Sequence, residues 1–334
     1  MTITPSDTAR TMTWAVTLFS FTNEMHERTR SADDLVRLVA DEHIASAVEV
    51  DAAQHFPSFP VISTEEITAF RRTIDETGLT PTMLGGYLDL RLDPRGPRTP
   101  EEEEDFLLGQ VRAAAEMGFF AVRMGLGSVR AELRERILPE LERRDIALLA
   151  EVQAGARPDA PAIDELRTHR ERLGTDRLGF VFDSSLVMQE LPPTWIRALR
   201  ADGVPEEIIS TAEALWRGTE AGGADRMTEL IRPLDLPASA VRRLDMPFRR
   251  FGCTMVEDWD DLLDDVASVH LKYWDVDDTS GALTRQTSAV KAALVRHDYR
   301  GFVCSEWGGH DWLEPEEAPA VGMTRAHRAI FDSL

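Results

Sequence analysis

Short runs of apolar, β-branched and aromatic residues alternate along this chain with longer stretches whose apolar positions recur at helical spacing. The runs are TWAVTLFSF (13–21), ASAVEV (45–50), LTPTMLG (79–85), FFAVRMG (119–125), IALLAEV (146–152), LGFVFD (178–183), ASVHLKYW (267–274) and YRGFVCSEW (299–307). Between them lie SADDLVRLVADE, STEEITAFRRTIDETG, TPEEEEDFLLGQVRAAAEMG, VRAELRERILPELERR, IDELRTHRERLG and TSAVKAALVRHD, and TRAHRAIFDSL closes the chain. The first three open with Ser or Thr followed by acidic residues, as helix N-termini prefer.

Eight strands, each followed by helical material, predict an α/β protein of the (β/α)8 TIM barrel type. The competing architecture, a doubly wound sheet, needs fewer strands and usually a Gly-rich first turn, which LFSFTNE does not supply. The 334 residues exceed the typical barrel of about 250, and the excess falls in one place. Asp183 and His270 stand 87 positions apart, against 32 from Glu151 to Asp183 and 36 from His270 to Glu306. Within that stretch, VPEEIISTAEALWRG puts Ile208, Ile209, Ala212, Leu215 and Trp216 on one helical face. ADRMTELIRPL and PASAVRRLDMPFRRFG follow it. The expectation is a single TIM-barrel domain, 1–334, with a helical insertion, 187–258, over the C-terminal mouth. Met227, Leu230 and Ile231 add to its apolar surface, so it is also expected to form an oligomeric or subunit contact.

Candidate chemistry begins at DIALLAEVQAG (145–155). Six of the seven residues from Ile146 to Val152 are apolar, as in a strand buried on both faces, yet Glu151 stands near its end. A buried carboxylate without a partner is costly or neutralises itself. Each of the last four strands ends in a residue able to bind metal: Glu151, Asp183, His270 and Glu306. In a barrel these ends converge on the face where active sites are built. Any one of them alone reads as an ordinary salt-bridged residue, since Arg is abundant. Four consecutive strands carrying such a residue at the same end are not explained that way. Three carboxylates and an imidazole need a balancing cation, and this oxygen/nitrogen set suits Mn²⁺, Mg²⁺, Co²⁺ or Zn²⁺.

Composition narrows the partners. The formal net charge is −22 and there is no basic run, which argues against nucleic acid and anionic membrane. Cys253 and Cys304 form no spaced framework and suit a reducing compartment. MTITPSDTARTM lacks a charged region followed by an apolar one, and no apolar run approaches the roughly 18 residues of a membrane span. A soluble cytoplasmic protein is expected.

The order Glu, Asp, His, Glu on strands five to eight resembles the xylose isomerase-like barrel superfamily of sugar isomerases, ketose 3-epimerases, inosose dehydratases and related enzymes. The resemblance implies a bound divalent metal, usually Mn²⁺, that chelates two sugar oxygens. Ketose 3-epimerases usually show Asp-x-x-His at the second ligand, where this chain has Asp183-Ser-Ser-Leu186. They also place an Arg soon after the ligand His, where HLKYWDVDD supplies Lys272. EVQAG has Gln153 where many members have His. The opening LFSFTNE, then VEVDAAQHFPSFP, and the long insertion before SVHLKYW are similar to the branch containing α subunits of bacterial C-glycoside deglycosidases. That resemblance implies a small second (β) subunit and a hetero-oligomer.

Other residues fall near the same mouth. Strand alternation points Lys272 the same way as His270, so its ammonium can bind a substrate oxygen, stabilise an enolate or pass a proton. A pairing with Asp275, Asp277 or Asp278 is the structural alternative. His26, His55 and His310 follow strands one, two and eight, and at least one is expected to contact substrate. In EWGGHDW the glycines let backbone approach a ligand, while Trp307 and Trp312 can stack on rings. His43, His169, His297 and His327 read as solvated. Glu49 and Asp51 are either ligands for sugar hydroxyls or structural, and Arg242, Arg243, Arg249 and Arg250 either ion-pair locally or dock a subunit.

Two activities share this metal set. One is a lyase acting on a 3-oxo-glycoside: a base removes the C2 proton and the C1 substituent leaves as a protonated aglycone. His310 or His55 would protonate the aglycone, with Lys272 or Glu306 near the C2 proton. The other is an aldose–ketose isomerase or epimerase with a Glu151/Glu306 acid–base pair. A barrel subunit with a decayed site is a third reading, opposed by the intact ligand set.

Overall fold

The computed structural model describes residues 12–27, 29–88, 96–218 and 222–334. MTITPSDTARTM therefore lies outside the described residues except for its last position. Strands β1 (Thr13–Thr17), β2 (Ala47–Asp51), β3 (Thr80–Gly85), β4 (Ala121–Gly125), β5 (Ala147–Val152), β6 (Leu178–Asp183), β7 (Val266–Tyr273) and β8 (Phe302–Trp307) run parallel in sequence order. β8 pairs back with β1, closing a (β/α)8 barrel. Closure removes the doubly wound alternative, which would leave two sheet edges.

The helix starts follow from the sequence. Ser31, Ser63 and Thr99 each cap a helix (Ala32–Asp41, Thr64–Thr77, Pro100–Met117) and receive the side chain of Asp34, Glu66 or Glu102 in return. The first apolar run is only partly strand. Thr17 ends β1, and its hydroxyl accepts the Phe19 N–H at 3.2 Å, turning LFSF into a short 3₁₀ segment at the barrel mouth.

Two solvated histidines of the sequence reading are instead buried. His169 continues the stripe of Ile163 and Leu166 and sits between Arg134 and Glu135 at 3.1 Å from each. His327 shares a face with Thr324 and Phe331 and packs between Trp14 and Tyr273, its Nδ1 2.9 Å from Ser305 Oγ. Both lie on the inward stripe of an amphipathic helix, where position outweighs polarity.

The β6–β7 connection carries helices Pro193–Ala201, Glu206–Arg217, Gly223–Ile231 and Ala238–Asp245. They hold together through large buried side chains. Trp195 Nε1 donates to the Arg243 carbonyl at 3.0 Å and Trp216 Nε1 to the Phe251 carbonyl at 2.7 Å, while the Phe251 ring meets Trp274 at 4.7 Å. Ile209, Trp216, Met227 and Ile231 are buried, so part of the insertion's apolar surface packs inside the protein. Leu230 and Val241 remain exposed. No helix among the described residues is long and apolar enough to cross a membrane.

Candidate active site

Side chains along each strand alternate between the barrel interior and the helices. The lower interior is apolar: Ala15, Ala47, Phe302 and Cys304 form one cluster, and Met83, Ala121, Ala147, Leu149, Val181 and Ala267 another. Two positions further along the strands, the same alternation puts Glu49, Arg123, Glu151, Asp183 and Glu306 inside, joined by His270 and Lys272 from β7. The pairing of Gly125 with Glu151, Asp183 with His270 and Lys272 with Glu306 brings these ends to one level.

The sequence-derived quartet is thus assembled. Glu151, Asp183, His270 and Glu306 are all buried, and each offers a ligand atom within 4.8 Å of the others. His270 Nδ1 lies 2.9 Å from Glu151 Oε1 and 2.9 Å from Glu306 Oε2. Its Nε2 lies 2.7 Å from Glu49 Oε2. Lys272 Nζ donates to Glu306 Oε1 and sits 3.8 Å from Asp183 Oδ2. The pairing foreseen for Lys272 with Asp275, Asp277 or Asp278 does not form, because the side chain follows His270 inward. Asp275 instead accepts the Thr194 N–H, and Asp278 the Leu283 and Thr284 N–H groups.

Arg123 was not foreseen. Its Nε donates to Glu49 Oε1 at 2.7 Å, its Nη1 to Glu151 Oε2 at 2.6 Å, and Asp51 Oδ2 lies 4.0 Å from Nη2. The signal was present: an Arg inside FFAVRMG, an otherwise apolar strand, needs buried partners. Glu49, wholly buried, meets Arg123 and His270, so neither carboxylate oxygen faces a sugar.

Charge is unevenly distributed here. Five buried carboxylates, Glu49, Asp51, Glu151, Asp183 and Glu306, meet the permanent cations Arg123 and Lys272 and one imidazole. Burial alone would raise the Glu151 pKa, but Arg123 and His270 outweigh it and hold it at about 2. Burial likewise opposes ionisation of Glu306, and Lys272 and His270 carry it well below the ordinary range. For Asp183 burial prevails over the Lys272 charge, pushing its pKa up to about 6. Burial would lower the His270 pKa, yet Glu49 and Glu306 lift it well above the usual value.

These residues fit a divalent cation. Asp183 Oδ2 is buried without a hydrogen-bond partner, with Lys272 Nζ 3.8 Å away, so a carboxylate oxygen of the cluster has no cation in direct contact. Ligands on opposite sides of a cation with bonds of about 2.1 Å stand about 4.2 Å apart. Small side-chain shifts therefore suffice.

Above the cluster, Phe19, Thr22, Asn23, His26, Asp51, Gln54, Tyr87, Arg250, His310 and Asp311 line an open cleft. Phe19 touches both levels, its ring 4.7 Å from His310 and 5.2 Å from Lys272 Nζ. Arg250, from the insertion, pairs with Asp311 at 3.0 Å and so brings that segment to the mouth. Arg243 and Arg249 pair locally with Asp202 and Asp245.

His26 and His310 reach this cleft, whereas His55 is buried beside it, its Nδ1 3.0 Å from the Asp51 carbonyl. Burial pulls the His310 pKa down to about 4 and leaves its Nε2 without a partner. The expected stacking by Trp307 and Trp312 is not seen. Both are buried, with Nε1 groups donating to the Trp274 carbonyl and to Thr194 Oγ1. Gly308 and Gly309 make room for the Trp274 and Trp307 indoles rather than for a ligand: a Cβ at Gly308 would lie 2.6 Å from Trp274 Nε1, and one at Gly309 2.4 Å from Trp307 Nε1. The aromatic edge of the cleft is the half-buried Phe19 and the exposed Tyr87, the latter donating to Asp51 Oδ2.

No family model matches the chain. It is 30% identical over 319 residues to the C-glycoside deglycosidase alpha subunit of Arthrobacter globiformis, covering 95% of this chain and 90% of that one. It is 29% identical over 332 residues to the 3'-dehydrocarminate deglycosidase alpha subunit of a Microbacterium species, covering 96% and 95%. Among solved structures, a D-psicose 3-epimerase in the presence of D-fructose superposes with a TM-score of 0.57 at 11% identity, over 96% of this chain and 98% of that one. That of Clostridium cellulolyticum with D-tagatose gives 0.52 at 11% identity, over 96% and 98%. At such identities the likeness shows the shared barrel fold.

Proposed function

This chain belongs to the C-glycoside deglycosidase alpha-subunit family, and from that premise we propose that it is a divalent-metal-dependent lyase cleaving 3-oxo-glycosides. The observation that carries the reading is the buried quartet Glu151, Asp183, His270 and Glu306 beneath a cleft at the barrel mouth.

A ketone at sugar C3 acidifies the C2 hydrogen. Loss of that proton lets the C2–H electrons form a C1=C2 double bond as the bond from C1 to the aglycone breaks. The departing carbon takes a proton. When bound, a divalent cation, Mn²⁺ in this reading with Mg²⁺, Co²⁺ and Zn²⁺ compatible, supplies Lewis-acid stabilisation of charge developing on the ketone.

The protein's own groups divide the rest. Lys272, held cationic by Glu306 and Asp183 against the effect of burial, adds positive charge beside that oxygen. Glu306, kept ionised by Lys272, is the proposed acceptor of the C2 proton. His310 is neutral at pH 7, so it starts as a proton acceptor and donates to the aglycone only once it has been charged. Its place in the cleft favours it over His55 for that role.

The relatives named above are alpha subunits, and a small second subunit is proposed here too, with the 187–258 segment as its contact. The test is to incubate the protein, with any partner encoded beside it, with a 3-oxo-C-glucoside and with free ketohexoses, with and without Mn²⁺. Metal-dependent release of aglycone is expected. Epimerisation of the free sugars without aglycone release would establish the isomerase or epimerase alternative instead.

A further inference from the structure

We propose that Glu49 is a positioning residue for the metal centre, fixing which nitrogen of His270 is presented to the ligand cluster. The inference rests on the metal reading above and adds a residue to it.

Glu49 lies on β2, across the barrel from the quartet on β5 to β8, and is fully buried. Its two carboxylate oxygens have different partners. Oε1 accepts from Arg123 Nε at 2.7 Å and Oε2 lies 2.7 Å from His270 Nε2. A carboxylate only accepts, so the proton of this pair sits on Nε2. Nδ1 faces the ligand carboxylates Glu151 Oε1 and Glu306 Oε2 at 2.9 Å, so it is the nitrogen that would give up its proton to a cation bound among them, while Glu49 keeps the proton on Nε2. A metal-binding histidine commonly has its ring fixed by such a carboxylate behind it.

Arg123 completes the arrangement. The same guanidinium that holds Glu49 donates through Nη1 to Glu151 Oε2 at 2.6 Å. One rigid fork therefore sets the position of a ligand carboxylate and of the carboxylate that orients the ligand imidazole.

The geometry makes Glu49→Gln informative, since a carboxamide has one acceptor and one donor end. With its NH₂ toward Arg123, two donors face each other. With its NH₂ toward His270, Nε2 must accept, and the ring proton moves to Nδ1, the face that should bind the cation. Either orientation weakens the site without changing side-chain shape. Glu49→Asp keeps two acceptors and should recover part of the loss.

The experiment is Mn²⁺ titration by calorimetry of wild type, Glu49→Gln and Glu49→Asp, with thermal melts confirming folding. The expected result is a loss of affinity of about 10–100-fold in Glu49→Gln and less in Glu49→Asp. Wild-type binding with unchanged affinity in a folded Glu49→Gln would overturn this inference and leave the metal reading standing. Absence of binding by wild type would overturn both. ¹⁵N-histidine spectra of Zn²⁺-loaded wild type need no variant to fold: a proton on Nε2 of His270 is expected, and one on Nδ1 overturns the proposal.

Discussion

Arg123 reaches from β4 to Glu151 on β5, Nη1 to Oε2 at 2.6 Å, and so holds one oxygen of that buried carboxylate while the other faces His270. The two explanations for a Glu at the end of an apolar strand, ion pair and metal ligand, are therefore not exclusive. Each uses a different oxygen.

Arg123→Met should consequently be destabilising by about 3–5 kcal/mol, because Glu49 and Glu151 would be left buried without their cation. Mn²⁺ should restore part of this, replacing one positive charge by another near Glu151. Urea denaturation with and without Mn²⁺ measures both effects. A variant as stable as wild type without metal would show that the arginine contributes nothing net.

Purified protein is expected to bind a single equivalent of divalent metal, and Glu151→Ala and Glu306→Ala to lose it. Elemental analysis after gel filtration decides this. Full activity after exhaustive chelation would contradict the metal-dependent reading.

His310→Gln should lower kcat by about 10²–10⁴-fold, the usual contribution of a proton-transfer group, with metal content retained. Steady-state kinetics on a 3-oxo-C-glucoside, with metal analysis alongside, is the measurement. A change confined to KM would make His310 a binding residue only.

Burial pushes the His327 pKa down to about 3, against about 6.5 in the unfolded chain. With the folded value depressed, the unfolded state binds the proton first, so stability is lost as pH falls below about 6.5 and the loss levels off only near the folded value. At pH 5 this residue should account for about 2 kcal/mol of lost stability relative to neutral pH. His327→Gln should remove that share of the acid slope. Parallel denaturation curves at pH 7.5 and pH 5, identical in slope for both proteins, would rule it out.

Leu230 and Val241 are exposed on the helices Gly223–Ile231 and Ala238–Asp245. Leu230→Glu and Val241→Glu should weaken subunit association while changing stability by no more than about 0.5 kcal/mol. Light-scattering mass with the candidate second subunit tests this, and an unaltered assembly would move the contact elsewhere.

The run lengths and helical periods determined the barrel, because parallel strands covered by helices must be apolar throughout and that pattern is written residue by residue. Strand ends were equally readable, and a closed barrel converts them to one level, so the quartet of Glu151, Asp183, His270 and Glu306 was available from order alone. Tertiary structure decided what those residues touch. Glu49 meets His270 only because the closed barrel brings β2 and β7 around one axis, over 221 positions, while Arg123 meets Glu151 across the β4–β5 pair, over 28 positions; neither separation is encoded in a local pattern. The same closure turned Trp307 and Trp312 inward and left Phe19 and Tyr87 at the cleft. Which side of a loop an aromatic ring faces depends on the volume left by distant neighbours, here Trp274 and Thr194, and sequence spacing carries no record of that volume.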